Sequence, residues 1–340
     1  MPLLACKRQI ACTETGYLAF TSLNPTLIHG FTFIVLMRFI YSCSFVFLLI
    51  SLSLLTGHQA QAQKEVLYSQ YLLNPLSINP AYAGSRESFQ LSAFLRRKWI
   101  SVRYAPITQS VSADGTIANG RIGLGFQALN DRMGLFATTG IYGSVAYRFN
   151  LPALAKLSIG VQGGVNVLPI YDVTTAGSVN RAVASLGVGV YYQSDRFFAG
   201  VSAPELGGQV TDATGRYLYR SVRPVMLQVG VPLEVSETTV LIPSILVSKI
   251  ADRPLGVDIN LRAWFNEEVG LGLSYRQNSP GFVQTNYIQA FAEYQLTKAI
   301  RLGYTFNSQT PESPNAMQYD QKSVHEIMLR FSPNELKFTY

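Results

Sequence analysis

Three histidines, His29, His58 and His325, and three cysteines, Cys6, Cys12 and Cys43, are the residues of this chain best suited to nucleophilic or metal chemistry. Their positions decide how much of that chemistry is open to it. A Ser-His-acid relay needs an imidazole beside a hydroxyl and a carboxylate. An imidazole or thiolate metal site needs three or four such ligands together. All the cysteines and two of the histidines precede residue 63, in a stretch that reads as a leader. His325 remains, followed by Glu326, at the start of an alternating segment near the C-terminus. That position suits strand pairing or a barrel rim better than a triad. Nor does a glycine-rich phosphate loop stand between a strand and a helix, because the glycines fall inside alternating segments. The expectation is no catalytic residue, no metal ligand and no cofactor: the chain does not read as an enzyme.

The leader is residues 37–62. Arg38 follows Met37, an apolar run spans 45–55, and a small-residue exit ends Ala60-Gln61-Ala62 before Gln63. These are the three regions of a secretory signal peptide, with cleavage expected between Ala62 and Gln63. The run is short for a membrane-spanning helix, which needs about 20 residues. The competing reading is an uncleaved anchor, since 27–37 is also rather apolar; Arg38 divides the two runs and favours cleavage. Residues 1–36 stand upstream of a complete signal, so translation is expected to start at Met37. Loss of 1–62 removes three basic residues and one acidic, taking the formal charge from +7 to +5. The mature chain has no cysteine and no block of like charge, so neither disulfides nor nucleic acid are expected partners of its fold or function.

What must position any functional side chain is a set of period-2 segments. Leu157, Ile159, Val161, Val165 and Val167 alternate with Ser158, Gly160, Gln162, Gly164 and Asn166. Leu255, Val257, Ile259, Leu261 and Phe265 alternate with Gly256, Asp258, Asn260 and Arg262, and similar runs follow at 268–276 and 300–306. Such alternation marks strands with one apolar and one polar face. A soluble sandwich turns the apolar faces inward; an outer-membrane barrel turns them to lipid. Segments of roughly 8–14 residues suit a tilted membrane strand, tyrosine and phenylalanine recur at their ends, and few charges interrupt them. These features favour an all-β transmembrane antiparallel barrel in the lipid bilayer of a Gram-negative outer membrane.

Fourteen strands are expected, near 88–100, 107–114, 120–130, 136–149, 155–171, 182–193, 196–202, 224–231, 238–248, 255–265, 268–276, 287–295, 299–306 and 324–331. Links after even-numbered strands are short. The long links, 172–181, 203–223, 277–286 and 307–323, all follow odd-numbered strands. That is the asymmetry of short periplasmic turns and long outer loops. The barrel is thus 88–331, with a tail at 332–340 and a turn-rich N-terminal periplasmic segment at 63–87. In that segment Asn74-Pro75 and Asn79-Pro80 initiate turns, and its tyrosines argue that it packs on something. On the polar faces stand Arg96, Arg121, Arg148, Asp258, Arg262, Glu268, Arg276, Glu293, Arg301, Glu326 and Arg330. They suit either an anion-biased channel or, preferably, ion pairs bracing the inner wall. Pro243 lacks a ladder donor and is expected to bulge or break its strand.

The sequence also resembles the PorP/SprF family of outer-membrane proteins of type IX secretion. The resemblance is carried by Gln70-Tyr71 with Asn74, by Asn79-Pro80-Ala81-Tyr82-Ala83-Gly84, by Arg97-Lys98-Trp99, and by Ala105-Pro106-Ile107-Thr108-Gln109. Tyr191-Tyr192, Leu241-Ile242-Pro243-Ser244, Gly272-Leu273-Ser274-Tyr275-Arg276 and His325-Glu326-Ile327 continue the series across about 70–331. Lys98 departs from the usual Gln before the Trp, and the tail runs past the usual end. The resemblance implies a barrel that assists export or attachment of surface proteins in gliding or adhesin-secreting bacteria. Its implied partners are periplasmic type IX components and a secreted surface protein. Its implied structural or contact residues are Asn79, Pro80, Ala81, Gly84, Trp99, Pro106, Arg276, His325 and Glu326. The alternative is a porin-like diffusion channel.

Overall fold

The computed structural model describes residues 69–100, 103–134, 136–172, 177–211, 217–251, 253–277, 286–309 and 323–333. The leader, its expected cleavage point and most of the tail lie outside the described residues. The strands are β1 (Gln90–Lys98), β2 (Ile107–Ile117), β3 (Ile122–Met133), β4 (Phe136–Asn150), β5 (Lys156–Asp172), β6 (Gly177–Gln193), β7 (Phe198–Ala203), β8 (Gln209–Thr211), β9 (Tyr217–Arg220), β10 (Val225–Gly230), β11 (Leu233–Ser236), β12 (Thr239–Lys249), β13 (Gly256–Phe265), β14 (Val269–Gln277), β15 (Tyr287–Gln295), β16 (Ile300–Gln309) and β17 (Ser323–Phe331). Each barrel strand pairs antiparallel with its sequence neighbours, and β1 pairs with β17. The pairing of β10 with β12 completes the ring. Closure removes the edges that an open sheet would expose.

Strands β10 and β11 are one wall strand with a gap at Val231-Pro232. Gly230 faces Ser244 and Leu233 faces Leu241, so the register resumes without a slip. Counted so, the barrel has the expected fourteen strands. The interruption expected at Pro243 falls on its partner instead. β12 runs through Pro243, whose carbonyl accepts from Val231 N at 3.0 Å, while Pro232 on the facing strand has no N–H to give.

The faces are inverted relative to a soluble protein. Along β1 the inward positions Gln90, Ser92, Phe94 and Arg96 are buried, while Leu91 and Leu95 are exposed. Leu273 is 58% exposed, whereas Arg276 on the same strand is 0% exposed. An apolar outer wall of this extent is stable only against lipid.

The links after β2, β4, β6, β11, β13 and β15 are short and share one rim; the longer links after β7, β14 and β16 share the other. One expected long link shrinks. β6 begins at Gly177, not near 182, because Gly177–Arg181 pairs along Leu168–Asp172. The β5–β6 hairpin therefore stands well above β7, whose pairing with β6 ends at Ala203. The β8–β9 hairpin lies within the link after β7 and covers the inner face of that projection: Val210 and Tyr219 pack on Leu168, Ile170 and Val183.

The plugged lumen as candidate functional site

Residues 69–85 were expected to lead into the barrel from the periplasm; they lie inside it. Three short 3-10 turns, Ser69–Leu72, Pro75–Ser77 and Pro80–Tyr82, fold the segment. In the second and third a proline occupies the first turn, where its missing N–H costs nothing. Asn79 caps the third by accepting Ala81 N at 2.9 Å on its side-chain oxygen. Leu73, Ala81 and Ala83 are 0% exposed and Tyr71, Leu76 and Tyr82 are 1% exposed. Burial this complete for a seventeen-residue segment requires walls on all sides.

The wall supplies them polar group by polar group. Ser110 Oγ on β2 donates to Gln70 at 2.9 Å, and Asn74 Nδ2 donates to Ser112 Oγ at 2.9 Å. Gln127 on β3 donates to the Leu76 carbonyl at 2.9 Å, and Ser202 on β7 to the Ile78 carbonyl at 2.7 Å. Asn79 Nδ2 reaches the Val190 carbonyl of β6 at 3.0 Å. Arg148 on β4 donates to the Ala83 carbonyl at 3.1 Å, and Gly84 N donates to Asp114 at 3.1 Å. On the far side Asn307 of β16 donates to Ser69 Oγ at 2.7 Å, and Arg330 of β17 donates to the Leu73 carbonyl. The irregular segment has backbone groups that no helix or ladder satisfies, and the inward polar side chains satisfy them.

Shape matches as well. A Cβ on Gly160 would fall 2.4 Å from Ala81 N, one on Gly123 1.9 Å from the Ala83 carbonyl oxygen, and one on Gly189 2.1 Å from Asn79 Oδ1. The glycines on the inner faces of β3, β5 and β6 thus make a flat bed for Asn79–Gly84. Gly84 itself sits at φ +66°, which other residues rarely adopt.

Two clusters of inward charges are ion-paired. Arg276 lies 2.7 Å from Asp258, and Tyr71 OH donates to the same carboxylate at 2.6 Å, so this ion pair also holds the plug. Glu293 on β15 pairs with Arg262 and has Arg301 at 3.7 Å and Arg330 at 3.9 Å. Arg301 lies over the Trp264 ring at 4.4 Å. Arg96 and Glu326, both buried, face each other in the β1–β17 register. Two of the expected polar-face charges do not reach the lumen: Arg121 and Glu268 are exposed in short-rim turns.

The residues implied by the resemblance fall into four groups. Asn79, Pro80, Ala81 and Gly84 form the lower plug, and Arg276 anchors its upper end through Asp258. Glu326 is in the lumen wall. His325 points the other way, to the outer wall, where Tyr304 OH bonds its Nδ1 at 2.6 Å and Phe306 meets it edge-on at 5.3 Å. His325 and Glu326 are therefore on opposite faces. Trp99 and Pro106 brace the β1–β2 link: Trp99 N donates to Ser323 O at 3.1 Å and Lys98 N to Pro106 O at 3.0 Å. The sequence reading missed Tyr71, Leu73, Leu76 and Ile78 as plug contacts. Their signal was a run of inward glycines on three strands, which only a close neighbour explains. Among the described residues a cavity of about 50 Å³ lies between Tyr71, Leu72 and Pro75 and the inner faces of β10, β12 and β13. Among the described residues no group of His, Cys, Asp or Glu is placed to hold a metal.

Residues 60–331 match the family described as type IX secretion system membrane protein PorP/SprF. The chain belongs to the PorP/SprF family. No curated protein sequence matches it closely. Among solved structures, the Acinetobacter baumannii outer membrane protein Omp33 is similar at 10% identity and a TM-score of 0.47, over 72% of this chain and 98% of that one. The Pseudomonas putida toluene transporter TodX is similar at 11% identity and a TM-score of 0.44, over 82% and 98%. Within the matched span, Asn79–Gly84 is the part of the plug bedded on glycine, and Arg276 is the upper anchor of the plug.

Proposed function

We propose that this PorP/SprF chain is a closed outer-membrane barrel that serves type IX export through protein contacts, as an anchor or accessory for export or attachment of a surface protein. The observation that carries this reading is the plug: residues 69–85 fill the lumen and are bonded to strands on every side. A diffusion channel needs a continuous aqueous path, and the cavity of about 50 Å³ is of the order of a few water molecules. The competing porin reading requires the plug to leave. The chain is read as non-catalytic, since His325, the one histidine among the described residues, lies on the outer wall. Periplasmic type IX components and one secreted surface protein are the expected partners.

Two measurements test this together. Purified protein in planar bilayers is expected to give no stable open-channel steps, and affinity purification from native membranes is expected to bring down periplasmic secretion components. Large, stable conductance without such partners would overturn the reading in favour of a porin.

A further inference from the structure

On the outer wall, charge is confined to one rim. Among the described residues of the barrel strands, the outward-facing ionic side chains are Arg97, Arg132 and Lys249, all at the long-link rim, and none is a carboxylate. Lys249, on β12, donates to Arg253 O at 2.5 Å, and Arg132 Nε donates to Gly134 O at 3.3 Å. Arg97 and Arg132 stand together. The register places Phe306, His325, Arg97, Ile107, Arg132 and Ala137 side by side around the wall. The two arginine backbones are two strand spacings apart, about 10 Å, so both guanidinium groups reach a common anion.

The next rung toward the membrane centre is polar too. Gln109, Asn130 and Thr139 lie in register and face outward, with Asn130 Nδ2 bonded to Thr139 Oγ1 at 2.8 Å. One rung deeper the wall is Ala93, Val111, Ala128 and Ile141, wholly apolar. The rung of Arg97 and Arg132, continued to the opposite side of the barrel, is Ala290, Leu273, Leu261 and Pro243. The patch is thus a polar inlet, two rungs deep, in an otherwise lipid-facing wall. Two aromatic residues stand beside it on the outer wall, Phe306 on the upper rung and Tyr304 on the rung below, both exposed, which sets that height at the headgroup layer.

We propose that this patch binds the headgroup of a phosphorylated glycolipid of the outer leaflet. Arg97 and Arg132 pair with its phosphate, Gln109, Asn130 and Thr139 face its sugar hydroxyls, and the apolar rungs below take its acyl chains. The assignment rests on the long links facing outside the cell. A cation on a lipid-facing strand is tolerated near the interface and costly deeper, and an anionic headgroup turns that tolerated charge into an attraction.

The test is native mass spectrometry of the full chain in detergent, titrated with bis-phosphorylated lipid A or with its dephosphorylated form. The phosphorylated lipid is expected to bind in preference, and Arg97→Gln with Arg132→Gln is expected to weaken it by about tenfold or more. Lys249→Gln is expected to leave binding unchanged. Gln109→Leu with Asn130→Leu, which makes the wall more apolar without touching charge, is expected to weaken both lipids. Heat-modifiability on a gel verifies that each variant is folded. Equal binding of both lipids, retention in the double arginine variant, or competition by millimolar inorganic phosphate would each overturn the proposal.

Discussion

Gly160→Ala is the sharpest perturbation of the plug. The added methyl would lie 2.4 Å from Ala81 N, 2.5 Å from Ala81 Cα and 2.6 Å from the Pro80 carbonyl carbon, all backbone atoms with no rotamer to yield. β5 cannot retreat, because Gly160 is paired to Ala146 on one side and Gly189 on the other. The plug must therefore shift by about 1 Å to restore ordinary contact. That shift stretches the Asn79–Val190 bond of 3.0 Å and the Ser202–Ile78 bond of 2.7 Å beyond useful range. Overpacking costs roughly 1–3 kcal/mol, and each lost bond about 1 kcal/mol. Together these weaken seating of the plug by about 3–5 kcal/mol, on the order of a hundredfold to several thousandfold in its equilibrium.

No cysteine follows Cys43 in the sequence, so a single reporter thiol can be placed in the lumen. Ser144 is 3% exposed and bonds only the wall residue Gln162, at 3.2 Å, which makes Ser144→Cys such a reporter. Its labelling by a membrane-impermeant maleimide in outer-membrane vesicles is expected to be slow, and much faster when Gly160→Ala is added. Gly163→Ala is the control: it lies on the same strand, and a Cβ there meets nothing within 4 Å. Equal labelling in the two alanine variants would refute the idea that inward glycines exist to seat the plug.

Other consequences concern the anchors. Tyr71→Phe removes a bond to a carboxylate and is expected to cost about 1.5–3 kcal/mol, seen as a lower temperature for the gel shift of the folded barrel. Asp258→Asn leaves Arg276, 0% exposed, without its countercharge; a loss of about 3–5 kcal/mol is expected, larger than for Tyr71→Phe in the same assay. Deletion of 69–85 from an otherwise folded barrel is expected to produce conductance steps that the intact chain lacks. His325→Ala removes only outer-wall contacts, with Tyr304 and Phe306, and is expected to leave lumenal labelling and partner co-purification unchanged.

Strand number and rim asymmetry were legible because both follow from short-range pattern. Alternation at period 2 sets the inward and outward faces, and link lengths sort by parity whatever the strands enclose. The start of β6 was not legible, since Ser178-Val179-Asn180-Arg181 carries no apolar face and is held by backbone pairing to β5. The break opposite Pro243 depended on which strand faces Pro232, a matter of register that Pro243 alone does not reveal. The plug was hidden for a different reason. Residues 69–85 have no periodicity of their own, and their turns were readable from Asn-Pro steps while their location was not.

That location explains two features that looked unrelated in the sequence. Glycine on a polar barrel face and a proline-rich lead-in each have a bland explanation alone. Placed together, Gly123 on β3, Gly160 on β5 and Gly189 on β6 are spaced to receive Ala83, Ala81 and Asn79. The segment is also short and covalently continuous with β1, so its docking is intramolecular and needs no partner to supply concentration. The wall charges Arg148 and Arg330 satisfy the plug's carbonyls, so the lumen is the most constrained part of the molecule, and the parts outside that network are the two rims and the projecting β5–β6 hairpin.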